Sequence, residues 1–163
     1  MNPLARLVSF SQRGIAAIES LQPVAQLAAR LYVAQAFFLS GLTKIRNWET
    51  TLALFDDEYH VPLLPPDVAA VMGTAGELVL PVLLALGLAG RFGALGLSVV
   101  NVVAVLSLEE IAPAALQQHV LWGSLLVGLV LWGPGRWSLD RLIASRLRGK
   151  HETTTPYTRA ARA

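Results

Sequence analysis

The stretch Val68–Leu108, VAAVMGTAGELVLPVLLALGLAGRFGALGLSVVNVVAVLSL, decides what kind of fold this chain can have. It holds two apolar runs, Val68–Ala89 and Phe92–Leu108, interrupted only by the acid Glu77 and the amide Asn101. A helix needs roughly 20 largely apolar residues to cross a bilayer, and each run reaches or approaches that length. Both are too long for a buried strand and lack the alternation of a barrel strand. Gly90 and Arg91 between them suffice to turn one helix straight into the next, so the two are expected to be antiparallel neighbours.

The same pattern continues outward. Val24–Leu42, broken by Arg30, precedes this pair, and Ala114–Trp132, with Gln117, Gln118 and His119 near its start, follows it. None of the four carries the continuous polar face of a soluble helix. The expected fold is an all-α integral membrane protein, an antiparallel bundle of four transmembrane helices over residues 23–137. The whole chain agrees: 163 residues are 54% hydrophobic and 15% charged, against ~25% charged in an ordinary soluble domain. That composition excludes intrinsic disorder. The absence of cysteine excludes disulfides, thiolate zinc sites, iron–sulfur clusters and redox-active cysteine pairs.

The basic residues support the count of four. With the amino terminus inside, the inner segments carry Arg6, Arg13, Arg91, Arg136, Arg141, Arg146, Arg148, Lys150, Arg159 and Arg162, and the outer ones only Lys44 and Arg46. Glu49, Asp56, Asp57, Glu58, Asp67, Glu109 and Glu110 all fall outside. The positive-inside rule then predicts a multi-pass protein with both termini cytoplasmic, whereas three or five crossings would spoil the division. The cations follow a membrane surface rather than a nucleic-acid groove.

The outer connection Thr43–Asp67 is long enough for structure of its own. Trp48, Leu52, Phe55 and Tyr59 share a helical face, with Glu49, Asp56 and Glu58 on others, and Pro62, Pro65 and Pro66 end the helix. Such a helix either caps the outer mouth of the bundle or lies in the lipid headgroups. Glu109–Pro113 makes a short second outer loop. Residues 1–22 read as an interfacial amphipathic segment with Leu4, Leu7, Val8, Ile15 and Ile18 on one side, too broken for a cleaved signal and expected to be retained. Residues 138–148 read as another, with Ser138 as its cap, Asp140 at its positive dipole end and Leu139, Leu142, Ile143 and Leu147 as its apolar stripe. Arg141, Arg146 and Arg148 can reach lipid phosphates. Residues 149–163 read as a flexible polar tail. Trp48, Trp132 and Trp137 suit an interfacial aromatic belt.

Charges inside a bilayer demand partners. By the helical rise, Arg30 lies ~18 Å below the outer end of the first run and Glu77 ~13–14 Å below the outer start of the second. An Arg30–Glu77 ion pair is therefore expected, either as a structural staple or as part of a chemical site. Pro81 cannot serve the carbonyl of Glu77, so the acid, a bend and a free acceptor coincide. Asn101 and Gln35 fall at similar depth, His119 nearer the outer surface and Trp122 one turn deeper. Lys44 tops the Arg30 stripe through Phe37 and Gly41, and Gly41 and Gly123 permit close helix contact. The predicted site is a polar pocket in the outer half of the bundle, with Arg30, Lys44, Glu77, Asn101, His119 and Trp122 as ligand-binding candidates. Glu77, Arg30 and His119 are the candidates for catalysis. His60, His119 and His151 have no metal-ligand spacing, so no haem or other metal is expected. Phosphate loops, nucleophile elbows and zinc-protease helices are missing from the sequence.

Three stretches together resemble the DoxX family of small four-helix membrane proteins: ARLYVAQAFFLSGLTKI at Ala29–Ile45, GELVLPVLLALGLAGRFGAL at Gly76–Leu95, and GPGRWSLDRL at Gly133–Leu142, with the His119–Trp122 stretch before the last. The resemblance implies a bacterial cytoplasmic (inner) membrane protein of a redox system near the quinone pool, where relatives include a DoxD-like subunit of a thiosulfate:quinone oxidoreductase. It makes a quinone, or a similar small apolar molecule, the expected ligand, and protein partners in a membrane redox complex or a homo-oligomer the expected company besides the bilayer itself. Without cysteine, thiol–quinone chemistry is closed to this chain. Two other readings stay open: a non-enzymatic membrane scaffold or assembly partner, and an oligomeric small-solute carrier. A single monomer with one buried ion pair offers a meagre conduction path.

Overall fold

The computed structural model describes residues 3–152, with side chains from residue 10 to residue 147, and every regular element among them is helical. The order is α1 (Pro3–Arg46), α2 (Trp48–Asp57), α3 (Pro66–Leu86), α4 (Gly90–Leu106), α5 (Pro113–Trp132) and α6 (Leu139–Glu152). Among the described residues α3 and α5 are long and apolar enough to cross a membrane, and α4 is a shorter apolar helix. In the most apolar 18-residue window of α3 only 33% of residues are buried by the protein, and in that of α5 only 11%. The core helix of a soluble protein would be mostly covered; here Val71, Val79, Val99, Val102, Val120 and Val127 all stand exposed.

α1 packs on α3 and α5, α3 on α4, and α4 on α5, closing a four-helix ring. Its core is Val33 and Phe37 of α1, Leu84 of α3, Ala94 and Leu97 of α4, and Leu126 and Leu129 of α5. Gly41 lets α1 approach α3, because a Cβ there would meet Leu78 and the Cβ of Glu77. Gly123 opposes the amide nitrogen of Asn101 in the same way. The expected outer helix is α2. It is capped by Asn47, whose side chain accepts from Thr50 N–H at 3.3 Å. Phe55 packs on Ala69 and Ala70 of α3 in a second small core with Trp48, Leu52, Tyr59 and Val61. α2 thus packs over one end of the bundle, as the cap reading expected.

Three local expectations are revised. The amino-terminal segment is not separate from the first apolar run: α1 is one helix of 44 residues that passes through Pro23. Proline forfeits one intrahelical bond, but the Ala-, Leu- and Gln-rich flanks carry the helix on. At ~1.5 Å per residue it is roughly 66 Å long, about twice the hydrocarbon thickness, so its first turns outrun the ring. Ile15 and Ile18 are exposed, while the side chains of Leu4, Leu7 and Val8 lie outside the described residues. Secondly, α6 continues to Glu152, so the expected tail begins as helix; residues 153–163 lie outside the described ones.

The third revision concerns the α3–α4 turn, which lies at Gly87–Ala89, with Gly90 already helical. Gly87 takes a left-handed conformation (φ 66°), and the N–H groups of Gly87 and Leu88 close on the carbonyls of Leu84 and Leu83. Ala89 is also left-handed (φ 47°), which costs an alanine ~1–2 kcal/mol. Asp140 holds it there. One carboxylate oxygen accepts from Ala89 N–H at 2.8 Å and the other from Gly90 N–H at 2.9 Å, while Asp140 N–H donates to the carbonyl of Gly87. Asp140 thus caps α4 rather than its own helix, which Ser138 caps through a long 3.4 Å bond from Arg141 N–H. Asp140→Ala is expected to destabilise the fold by about 1–2 kcal/mol, the usual scale for a lost cap, read as a lower melting temperature in detergent. An unchanged melting temperature would show that the turn holds without it.

Candidate functional site

The charged groups predicted to meet do not. From Gly41, which opposes Glu77 and Leu78, Arg30 lies eleven residues further down α1, or ~16 Å along the axis. That is level with the end of α3. α1 runs on to Arg46, four residues beyond its expected end, and α3 begins at Pro66, two before its expected start, so Arg30 lies deeper than Glu77 can reach. Arg30 is buried to 1% exposure, yet its partners are carbonyl oxygens and not a carboxylate. Nε donates to Leu84 O at 2.9 Å, Nη1 to Pro134 O at 2.7 Å and Trp137 O at 2.8 Å, and Nη2 to Ala85 O. Leu84 and Ala85 belong to the last turn of α3, where carbonyls have capacity to spare and the dipole favours a cation; Leu84 O takes Arg30 in addition to the Gly87 N–H. Arg30 is a clamp joining α1, the end of α3 and the 133–138 loop. It takes no part in the outer pocket.

Glu77 pairs instead with Lys44. Nζ donates to both carboxylate oxygens, at 2.6 and 2.5 Å, and to Ser40 Oγ at 3.2 Å. It is the ion pair formed among the described residues, with the Glu77 side chain 8% and that of Lys44 20% exposed. Lys44 reaches Glu77 because it lies three residues beyond Gly41, on the face of α1 that touches α3.

This pair lines a cavity of about 430 Å³ between α1, α3, α4 and α5, closed above by α2 and the segment after it. Phe37, Phe55, Val61, Leu64, Met72, Val99, Val100 and Val103 supply apolar walls, and Ser40, Lys44, Tyr59, Glu77, His119 and Trp122 supply polar groups. The roof is tied down where His60 N–H donates to Ser107 O at 2.8 Å. Burial pushes the Tyr59 phenol up, and the charges of Glu58 and Glu77 push the same way, so it is a hydrogen-bonding O–H throughout the neutral range.

Asn101 stands behind the wall rather than in it. Its Nδ2 donates to His119 O at 3.0 Å and its Oδ1 lies 2.9 Å from His119 Nδ1. Because Nδ2 is the amide donor, Oδ1 is the acceptor and His119 carries its proton on Nδ1, which leaves Nε2 with the lone pair. Asn101 therefore orients His119, which stacks edge-on against Trp122 at 5.1 Å; Phe37 meets the same indole at 5.5 Å. Trp122 Nε1 is buried with no hydrogen-bond partner. Trp122 as a residue lines the cavity, and a buried donor without a partner is unusual, because such groups are nearly always paired.

Of the six candidates, the structure brings Lys44, Glu77, His119 and Trp122 to one cavity, places Asn101 in support and removes Arg30. Gln35, expected at the same depth, is exposed on the outside of the ring. Tyr59 and Ser40 were missed as site residues, although Tyr59 sits four residues after Phe55 on the same apolar face of the roof.

The DoxX family model matches residues 25–110, from within α1 to beyond the end of α4. An uncharacterized protein of Haemophilus influenzae is 32% identical over 127 residues, covering 74% of this chain and 83% of its own length. No solved structure matches. A family match over more than half of the chain, covering the second half of α1 with α2, α3 and α4, and two apolar helices left bare by the fold make this a membrane protein that belongs to the DoxX family.

Proposed function

We propose that the protein crosses the bacterial cytoplasmic membrane four times, through α1, α3, α4 and α5, and holds a quinone or a similar small apolar molecule in the outer cavity as part of a redox system. The ten-to-two division of basic residues favours four crossings with both termini cytoplasmic and α2 on the opposite side. The observation that carries the ligand reading is the cavity itself. Its volume of about 430 Å³ lies in the range of small-molecule sites, its lining is largely apolar, and its few polar groups converge.

The residues suit a quinone. Its carbonyl oxygens accept hydrogen bonds, and the buried Trp122 N–H lacks an acceptor. A bound quinone would supply two-electron, two-proton acceptor chemistry. Trp122 and Tyr59 can donate to a carbonyl, Phe37 and Phe55 can flank a flat ring, and His119 Nε2 or Glu77 is placed to hold a proton.

Purified protein in detergent should melt at a higher temperature with a short-chain benzoquinone or naphthoquinone, by about 2–3 kcal/mol of added stability at a hundredfold excess over Kd. Trp122→Phe, which leaves Lys44–Glu77 intact, should remove most of that gain. No shift with either quinone would reject the reading, and a shift that survives Trp122→Phe in full would place the quinone elsewhere.

A further inference from the structure

At the end of the bundle opposite α2, the α3–α4 turn, the 133–138 loop and α6 enclose an open groove of about 1180 Å³. Arg91, Arg136 and Arg141 line it. Arg91 makes one long bond, Nη2 to Leu131 O at 3.4 Å, and none of the three forms an ion pair among the described residues. Two acids share the groove. Asp140 is engaged by the amides of Ala89 and Gly90, and Glu19 lies exposed on α1. Three guanidinium groups therefore line an open space with two carboxylates, and neither carboxylate forms an ion pair with them among the described residues.

The apolar surroundings say where this groove lies. Trp132 is 75% exposed, and Phe92 and Trp137 are exposed beside it. Exposed tryptophans at the end of an apolar helix mark the headgroup level of a bilayer. On α6, Leu142, Ile143 and Leu147 are also bare, as on a helix lying in the interface. Arg136 and Arg141 border a second hollow of about 590 Å³, whose other walls include Leu86, Trp137 and Leu142. Polar groove and apolar hollow thus meet at two arginines.

We infer that this end of the bundle is a binding site for an anionic phospholipid. The lipid phosphate sits among Arg91, Arg136 and Arg141, where guanidinium forks match phosphate oxygens, and one acyl chain runs along Leu86 and Leu142. Basic pockets between helices at a membrane surface take lipid headgroups for this reason. The site is remote from the outer cavity and does not depend on what that cavity binds.

The test uses the full chain, delipidated in a neutral detergent and titrated with mixed micelles of phosphatidylglycerol or phosphatidylcholine. Phosphatidylglycerol should raise the melting temperature by about 5 °C and phosphatidylcholine by less than about 1 °C. The triple variant Arg91→Gln, Arg136→Gln, Arg141→Gln should lose most of the difference. A control variant, Arg13→Gln with Arg46→Gln, should keep it, and the quinone response should be unaffected by either variant. Equal shifts with the two lipids would overturn the inference. So would equal losses in the triple and the control, which would indicate general surface charge, or a full shift from glycerol 3-phosphate alone, which would indicate a soluble anion. Should the triple not accumulate, native mass spectrometry of Arg136→Gln decides: retained phosphatidylglycerol should fall severalfold, and parent-like retention would overturn the assignment.

Discussion

Replacing Arg30 by alanine should destabilise the protein by about 3–5 kcal/mol, the largest effect expected of any single substitution in the chain. The guanidinium satisfies four carbonyls drawn from the end of α3 and from the 133–138 loop. Without it those carbonyls face each other across a buried space, and the loop that carries Asp140 to α4 loses its anchor. Arg30→Lys should recover only part of the loss, because a single ammonium cannot span oxygens that a planar fork reaches from three nitrogens. Thermal unfolding in detergent, followed by size-exclusion chromatography, measures both variants. A charge exchange, Arg30→Glu with Glu77→Arg, distinguishes the clamp from an ion-pair staple. With the two positions ~16 Å apart along the helix axis, the exchange should be at least as damaging as Arg30→Ala, and recovery of the parent melting temperature would contradict the clamp.

Lys44→Met should cost about 2–4 kcal/mol, because it leaves the carboxylate of Glu77 buried without its cation. The partial exposure of Lys44 keeps the figure below that of a fully buried pair. Lys44→Met combined with Glu77→Met should regain most of the loss, since removing both charges relieves the desolvation that removing one creates. The cycle also separates folding from ligand binding. If the double variant recovers its stability but no longer responds to quinone, the ion pair serves the cavity; if it recovers both, the pair serves the fold alone. A single Lys44→Met variant as stable as the parent would show that Glu77 finds another partner.

The helices themselves were legible because their cause is local. Apolar runs of membrane length and prolines at 65, 66 and 113 act within a turn or two, whereas the α3–α4 turn was expected at Gly90 and Arg91 and lies at Gly87–Ala89. The roof was legible for the same reason, since Trp48, Leu52, Phe55 and Tyr59 fall on one helical face, although only the tertiary structure shows that this face meets Ala69 and Ala70. Lys44, His119 and Trp122 were found at the cavity because depth along a helix places them near its outer end. Pairing Glu77 with Arg30 failed because pairing depends on the register between two helices. Glu77 lies level with Gly41, ~16 Å along α1 from Arg30 and only three residues from Lys44, and packing rather than either helix's own sequence sets that register.

From the sequence alone come the helical, membrane-compatible class, the order of the elements and the family resemblance, all consequences of short-range pattern. Only the tertiary structure decides that Glu77 belongs to Lys44, that Asn101 serves His119, and that Arg30 and Asp140 lock the opposite end. Those partners are largely backbone groups: Arg30 holds carbonyls, and Asp140 holds amides. Nearly every residue carries both groups, so nothing in the side-chain alphabet marks which ones will be bound. Their selection waits until packing has brought the helix ends together.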